Sequence, residues 1–212
     1  MQIIDLSHEI SEEMTVFGEM EKPEIFRKYS VETDGFKLHE IKINSHTGTH
    51  VDAPSHTIAG MKNLDDFPLE QFYGRGVMIQ VEQFKGSEIP LSFLKKFEKQ
   101  IEKSEFLILN ASWYKKWKTL EYQINYPVLS QESAIWLTQF KLKGIGLDII
   151  SIDPTDSKDV PIHKIILGAG MLIIENLNNL NALPESDFIF QCFPLKINQA
   201  DGSTSRIVAF VQ

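Results

Sequence analysis

Residues 45–56, with the sequence SHTGTHVDAPSH, concentrate side chains that bind metal ions. Three of the chain's six histidines, His46, His50 and His56, lie here together with Asp52. Imidazole nitrogens with a carboxylate oxygen and no thiolate are the ligands of catalytic zinc, manganese or iron rather than of a cysteine-rich structural zinc. The simpler alternative is a polar loop whose histidines only form hydrogen bonds. Because four candidate ligands crowd into one segment, the sequence favours a metal site.

The four candidate ligands all occupy even-numbered positions. Side chains alternate between the two faces of a strand, so in an extended segment all four would project to one side. The spacing of His46 and His50 also matches the helical HExxH motif of zinc enzymes. Gly48 and Pro54 disfavour a helix here, however. The pattern therefore predicts an extended strand or loop.

Two residues in the second half of the chain are candidates to complete the site. His163 follows the turn-rich tract DPTDSKDVP, and Glu175 ends the apolar run MLII. A charge at the end of a buried strand needs a partner. Convergence of His163 and Glu175 on residues 45–56 explains both, either as ligands of a second metal or as groups that orient the first ligands. A structural histidine and a solvent-exposed strand end are the simpler alternatives.

A nucleophilic serine or cysteine is less well supported. Ser45 and Ser55 flank the histidine cluster, but the sequence contains no GxSxG motif. Cys192 is the sole cysteine and lies within an apolar segment. We interpret it as a core residue.

Hydrophobic patterning predicts an α/β protein. The Pro90–Lys103 segment has helical periodicity, and a second helix is expected from Ser130 to Gly144, with a buried stripe of Ala134, Ile135, Leu137 and Phe140. Residues 46–75 are expected to be irregular, as functional loops often are. Strands are expected at residues 2–6, 37–45, 76–82, 105–110, 144–153, 171–176, 188–197 and 206–211.

Length and composition limit the classes of function. The chain has no internal repeat or linker, so residues 1–212 are expected to form one α/β domain with a mixed sheet. A formal net charge of -8 argues against a nucleic-acid partner. No apolar run reaches the ~18 residues that a membrane helix needs. A single cysteine and a start without signal-peptide character predict a cytoplasmic protein.

The sequence resembles the metal-dependent cyclase/hydrolase family, which includes bacterial kynurenine formamidases (arylformamidases) and isatin hydrolases. The similarity extends over nearly the whole chain, and the HxGTHxDxPxH core is its most specific part. The matching segments are DLSH (5–8), HTGTHVDAPSH (46–56), YPVLSQESAIWL (126–137), GLDIISIDP (146–154), HKIILGAGMLIIENL (163–177) and DGSTSRIVAF (201–210).

This resemblance implies a fold and roles for the site residues. The fold would be a swivelling β/β/α domain, in a homodimer or higher homo-oligomer whose subunits help close each other's pockets. One divalent ion would be bound by His46, His50 and Asp52, and Asp52 would bridge to a second ion held by His163 and Glu175. Zinc is the expected metal, with manganese as the alternative, at one or two ions per subunit.

The resemblance also implies an activity. His56 would be the general acid/base in hydrolysis of an amide-type bond, with an N-formylkynurenine-like small molecule of tryptophan catabolism as the expected substrate. Opening of an isatin-like cyclic amide, a cyclase reaction, and metal binding without turnover remain as alternatives.

Two positions depart from the family pattern. Phe17 precedes Gly18 and Glu19, where relatives often have an aromatic residue followed by Pro-Gly. Phe17 is still predicted to form an apolar wall for a substrate ring. Trp113 lies where relatives often have an Arg-Thr-Gly-like run. Its side chain is interpreted either as part of the core or as a substrate contact.

Overall fold

A nine-stranded mixed sheet organises the part of the chain that the computed structural model describes, residues 1–18 and 22–211. Numbered along the chain, the strands are β1 (Gln2–Asp5), β2 (Glu24–Tyr29), β3 (Leu38–Lys42), β4 (His50–Asp52), β5 (Tyr73–Gln80), β6 (Glu88–Ile89), β7 (Phe106–Asn110), β8 (Val128–Leu129), β9 (Gly144–Leu147), β10 (Leu172–Glu175), β11 (Phe188–Gln191), β12 (Gly202–Thr204) and β13 (Val208–Val211). The helices are α1 (Val31–Asp34), α2 (Leu91–Leu94), α3 (Glu98–Glu102), α4 (Gln131–Leu137) and α5 (Pro161–Gly168).

The order of strands in the sheet is β1-β13-β11-β5-β7-β9-β10-β4-β12. The four strands from β5 to β10 in this order run parallel, and the strands on both sides join antiparallel. Parallel strands place their carboxyl ends at one edge, where α/β proteins commonly bind ligands. The short strands β4 and β12 lie beside β10, so they bring residues 50–52 to this region.

Two hydrophobic cores cover the two faces of the sheet. In β7, Leu107 and Leu109 belong to a core shared with α4 and α5, while Phe106 and Ile108 belong to the other. Ile4 of β1 shares the second core with Ile108, because the sheet curls over. Central strands that are buried on both faces have continuous apolar sequences rather than alternating apolar and polar residues. Cys192 is buried in the second core, as predicted.

The strands at 2–6, 76–82, 105–110, 144–153, 171–176, 188–197 and 206–211 are all present, with shorter or shifted bounds. Residues 46–75 are not the irregular loop we expected, because β4 and several 3-10 turns lie within them and β5 begins at Tyr73. The predicted helix at 90–103 is broken into α2 and α3 by a 3-10 turn at Lys95–Phe97.

The second predicted helix also needed correction. It starts after Ser130, whose Oγ accepts a hydrogen bond from the Ser133 N–H, but it ends at Leu137 rather than near Gly144. Ile135 is 53% exposed, and Trp136 is buried in its place. The buried face is therefore rotated relative to the predicted stripe. Among residues 1–18 and 22–211, no helix is long and apolar enough to cross a membrane.

A separate two-stranded ribbon is formed by β2 and β3. The sequence predicted a strand at 37–45 with one buried face, but every residue of β3 is exposed. The ribbon is not hydrogen bonded to the nine-stranded sheet in the described part of the chain. Its region exposes the large apolar side chains of Phe26, Tyr29, Val31, Phe36, Leu38 and Ile41.

Candidate metal centre

Strand pairing places three candidate ligands on one face. His50 lies directly opposite Glu175 in the antiparallel pair of β4 and β10, and opposed residues share a face of the sheet. Asp52 is two residues further along β4. The His50 Nε2 atom is 3.1 Å from Asp52 Oδ1 and 3.6 Å from Glu175 Oε2. The alternation argument therefore holds for His50 and Asp52.

His46 and His56 reach the site by another route. His46 lies in a turn before β4, and its Nδ1 is 2.7 Å from Asp52 Oδ1. His56 ends a 3-10 turn, Pro54–His56, and its ring centroid is 4.0 Å from that of His46. Neither lies in a strand, so their convergence does not follow from strand alternation as we predicted. Gly48, with a φ of 69°, takes the left-handed conformation that the turn requires.

His163 is presented by α5, a helix that we did not predict. The Asp153 carboxylate accepts hydrogen bonds from the backbone N–H groups of Ile162 and His163, at 3.0 and 2.9 Å. These donors lie in the first turn of the helix, where a carboxylate is favourable. Val160, just before the helix, has a φ of 39°, a strained conformation for a β-branched residue. The His163 Nε2 lies 3.4 Å from Glu175 Oε1.

Hydrogen bonds at Nδ1 determine which ring nitrogen of two histidines faces the centre. Nδ1–H of His50 donates to the Gly48 carbonyl at 2.7 Å, and Nδ1–H of His163 donates to Asp153 at 2.7 Å. The Asn176 side chain also donates to the Gly48 carbonyl, at 3.0 Å. These partners leave Nε2 of both histidines available as a ligand.

The donor set fits a divalent cation. Asp52 Oδ2 is buried and has no hydrogen-bond partner among the described residues, and such a carboxylate oxygen needs a cation or donor. In each of three groups of described residues, the ligand atoms lie within 4.8 Å of one another, and Asp52 belongs to two of these groups. One contains His46, His50 and Asp52, and the other contains Asp52, His163 and Glu175.

Nearby carboxylates raise the pKa values of two candidate ligands, His46 and His163. Burial opposes the charged imidazolium, but the Asp52 and Asp201 carboxylates raise the pKa of His46 to about 9. Burial also opposes the charge of His163, and Asp153 and Glu175 nevertheless raise its pKa to about 10. A metal ion bound by these rings would therefore have to displace protons at neutral pH.

Asp201 is a site residue to which we assigned no role from the sequence. Its Oδ2 accepts hydrogen bonds from His46 Nε2 at 2.9 Å and from His56 Nδ1 at 3.2 Å. Its carbonyl accepts the Ala53 N–H at 2.8 Å, next to the pairing of β12 with β4. Its only sequence signal was the closing DGST segment, and one aspartate before a glycine is an ordinary turn pattern.

A cavity of about 390 Å³ opens onto the centre. Phe17 lies in its wall with Thr15 and Val16, and the Phe17 side chain is 53% exposed. Trp113 does not line this cavity; it is 2% exposed, and its indole N–H donates to the Tyr122 carbonyl. The core interpretation therefore applies to Trp113. The cavity residues are Thr15, Val16, Phe17, His46, Thr47, Gly48, His50, His56, Ile150, Ser151, Thr155, Ser157, Val160, His163, Glu175 and Asn176.

Gly202 packs against His46 too closely for a side chain. A Cβ atom at this position would lie 2.5 Å from Cε1 of His46. We expect Gly202→Ala to displace the ring and lower metal affinity by about 10- to 100-fold, the usual effect of disturbing a ligand's surroundings. Gly168→Ala is the matched control. A Cβ atom at position 168 would contact only Cδ1 of Ile58, at an ordinary van der Waals distance of 3.4 Å. Titration with a chelating metal indicator measures both, and equal affinities would contradict the packing argument.

Comparison with known sequences identifies the family. The sequence model described as Putative cyclase matches residues 4–154, which include His46, His50, Asp52 and His56. The chain belongs to the putative cyclase family. Kynurenine formamidase of Bacillus thuringiensis (strain Al Hakam) is 30% identical over 177 residues, covering 84% of this chain and 81% of the relative. Kynurenine formamidase of Bacillus mycoides (strain KBAB4) is 30% identical over 169 residues, covering 80% and 78%.

Solved structures share the fold of this cyclase-family chain. Isatin hydrolase A from Labrenzia aggregata, bound to benzyl benzoate, superposes with a TM-score of 0.89 at 24% identity and covers 99% of this chain and 93% of its own. A predicted metal-dependent hydrolase from Bacillus stearothermophilus gives a TM-score of 0.84 at 22% identity, covering 100% and 98%. These similarities confirm the predicted α/β fold with a mixed sheet.

Proposed function

We propose that this chain is a metal-dependent hydrolase of amide-type bonds that acts as an arylformamidase on N-formylkynurenine-like substrates. The observation that carries this proposal is the buried Asp52 carboxylate, which is shared by two ligand groups whose other members, His46, His50, His163 and Glu175, line the same cavity as His56. The kynurenine formamidase relatives support the formamide substrate. A role in tryptophan catabolism would follow from that substrate.

The chain's own residues divide the chemistry between them. His46, His50, Asp52, His163 and Glu175 would hold the metal. A bound divalent ion lowers the pKa of a coordinated water toward ~7 and polarises a carbonyl oxygen. His56 would accept a proton from the attacking water and return it to the leaving nitrogen, as a general acid/base does. Phe17 would contact the substrate's aromatic ring at the cavity wall.

The identity and number of ions are part of the proposal. Imidazole and carboxylate ligands suit zinc, which we propose, and manganese is the alternative. Two ions per subunit are supported by the position of Asp52 in two of the three ligand groups. Elemental analysis of the purified protein, scaled to protein concentration, measures both.

A substrate panel tests the proposed function. We expect the metal-loaded enzyme to hydrolyse N-formyl aryl amines, and chelation followed by dialysis to abolish turnover because the ligand cluster is the reaction centre. Readdition of zinc or manganese should restore activity. Formate release from N-formylkynurenine and formanilide is the measurement, with isatin as the cyclic comparator. Turnover of isatin alone would replace the formamidase assignment, and full activity after verified metal removal would refute the metal-dependent mechanism.

We also propose a cytoplasmic homodimer, in which the β2–β3 ribbon contacts the second copy. An isolated two-stranded ribbon is marginally stable in water, and contiguous exposed apolar surface commonly marks an interface. Phe26 pairs with Glu40, so Phe26 and Leu38 lie on the same face of this ribbon, and they are 54% and 44% exposed.

The dimer proposal predicts that Phe26→Lys with Leu38→Lys shifts the mass measured by light scattering from two copies to one. Leu120→Lys, at an apolar residue exposed elsewhere, is the control and should leave the mass unchanged. A wild-type protein of monomer mass would contradict this proposal.

A further inference from the structure

The Asp201 carboxylate connects two histidines that the proposed mechanism uses differently. Its Oδ2 is within hydrogen-bond distance of His46 Nε2 and His56 Nδ1, 155 and 145 residues away in sequence. Pairing of Gly202 with Asp52 holds the start of β12 beside β4, so the position of Asp201 is determined by the same strands as the metal ligands.

We propose that Asp201 is a positioning residue that orients the His56 ring by accepting the hydrogen bond from Nδ1. This inference rests on the proposed function, because it concerns the acid/base of that reaction. With Nδ1–H donated to Asp201, Nε2 is the nitrogen left to exchange protons in the cavity that His56 lines. A carboxylate behind a catalytic imidazole fixes its tautomer and orientation.

The alternative role for Asp201 is a metal ligand, since His46, His56 and Asp201 also lie close enough to share an ion. The surroundings favour positioning. Asp52 Oδ2 is buried without a partner, whereas Asp201 Oδ2 accepts two hydrogen bonds and the Asp201 side chain is 46% exposed. Asp201 Oδ2 therefore has donors and lies on a side chain that water can reach, whereas the buried Asp52 Oδ2 has a coordination position left for a cation.

Three variants separate these roles. Asp201→Ala removes the acceptor, and Asp201→Asn keeps an oxygen that can accept from His56 Nδ1. Asp65→Ala is the matched control, because Asp65 accepts the Gln199 N–H at 3.1 Å and so supports the same segment without contacting a histidine. Thermal unfolding verifies that each variant folds.

The first measurement is the tautomer of His56 in metal-free protein, from long-range ¹H–¹⁵N spectra at a pH where the ring is neutral. We expect the proton on Nδ1 in the wild type, the Asn variant and the Asp65 control, and redistribution toward Nε2 in the Ala variant. An unchanged His56 spectrum in Asp201→Ala would overturn the proposal.

The second measurement combines metal content with kinetics on N-formylkynurenine at saturating metal. We expect Asp201→Ala to bind as many ions as the wild type and to lose about 10- to 100-fold in kcat with little change in KM, and Asn to recover most of the rate. One fewer ion in both variants would make Asp201 a ligand and reject the positioning role. If the wild type hydrolyses no formamide, the proposed function fails. The spectra and the metal content would still show whether Asp201 orients His56 or binds a metal ion.

Discussion

Replacing His56 with alanine is expected to lower kcat for formamide hydrolysis by about 10²- to 10⁴-fold, the range for loss of a general acid/base. The metal content should stay unchanged, because His56 belongs to neither ligand group that contains Asp52. Steady-state kinetics on metal-saturated protein, with elemental analysis of the same samples, measure both quantities. His39→Ala is the control, since His39 is exposed on the β2–β3 ribbon and belongs to none of the ligand groups of the described residues.

Two outcomes for the His56 variant would contradict our assignment. Loss of metal together with activity would make His56 a ligand, as the His46, His56 and Asp201 group would allow. Unchanged metal binding and an unchanged rate would show that His56 has no role in the reaction. A wild type that binds metal but shows no turnover would instead be a metal-binding protein without catalytic activity. A rate loss with full metal content is therefore the specific signature of an acid/base.

Sequence patterns identified the candidate ligands that the structure brings together, but they did not explain the whole arrangement. Ligand chemistry singled out His50 and Asp52, and strand alternation placed them on one face. The same alternation was wrong for His46 and His56, which lie in turns whose geometry depends on glycine conformation and tertiary contacts. The interrupted apolar run at Glu175 indicated a buried charge, and the structure places that carboxylate opposite His50.

The parts of the site that we did not predict depend on contacts between residues that are distant in sequence. Helix α5 follows a tract rich in turn residues, and its start at Pro161 is stabilised by Asp153, which also holds His163. The local pattern alone did not indicate this capping. Asp201 lies in an unremarkable Asp-Gly pair, and only the pairing of β12 with β4 brings it to the histidines. Strand β3 likewise alternates in sequence like a half-buried strand, although neither hydrophobic core of the described residues includes it.

Replacing Asp52 with asparagine is expected to have the largest effect on metal binding. The substitution preserves the shape of the side chain and removes its charge. Burial opposes ionisation of Asp52, but the neighbouring His50 and His46 hold the pKa of this carboxyl well below its usual range. Since disturbing a ligand's hydrogen-bond partner alone reduces metal affinity by about 10- to 100-fold, loss of this ligand should exceed ~10²-fold.

The number of ions lost distinguishes a ligand shared by two ions from a ligand that binds only one. Asp52 belongs to the group with His46 and His50 and also to the group with His163, whereas Glu175 belongs only to the latter. If two ions bind, Asp52→Asn should weaken both, and Glu175→Gln should weaken one. Calorimetric titration of metal into the stripped protein gives the stoichiometry and affinity for each variant. Retention of two tightly bound ions by Asp52→Asn would show that this carboxylate is not the bridge, whereas equal losses in the two variants would reduce the centre to a single ion that both carboxylates hold.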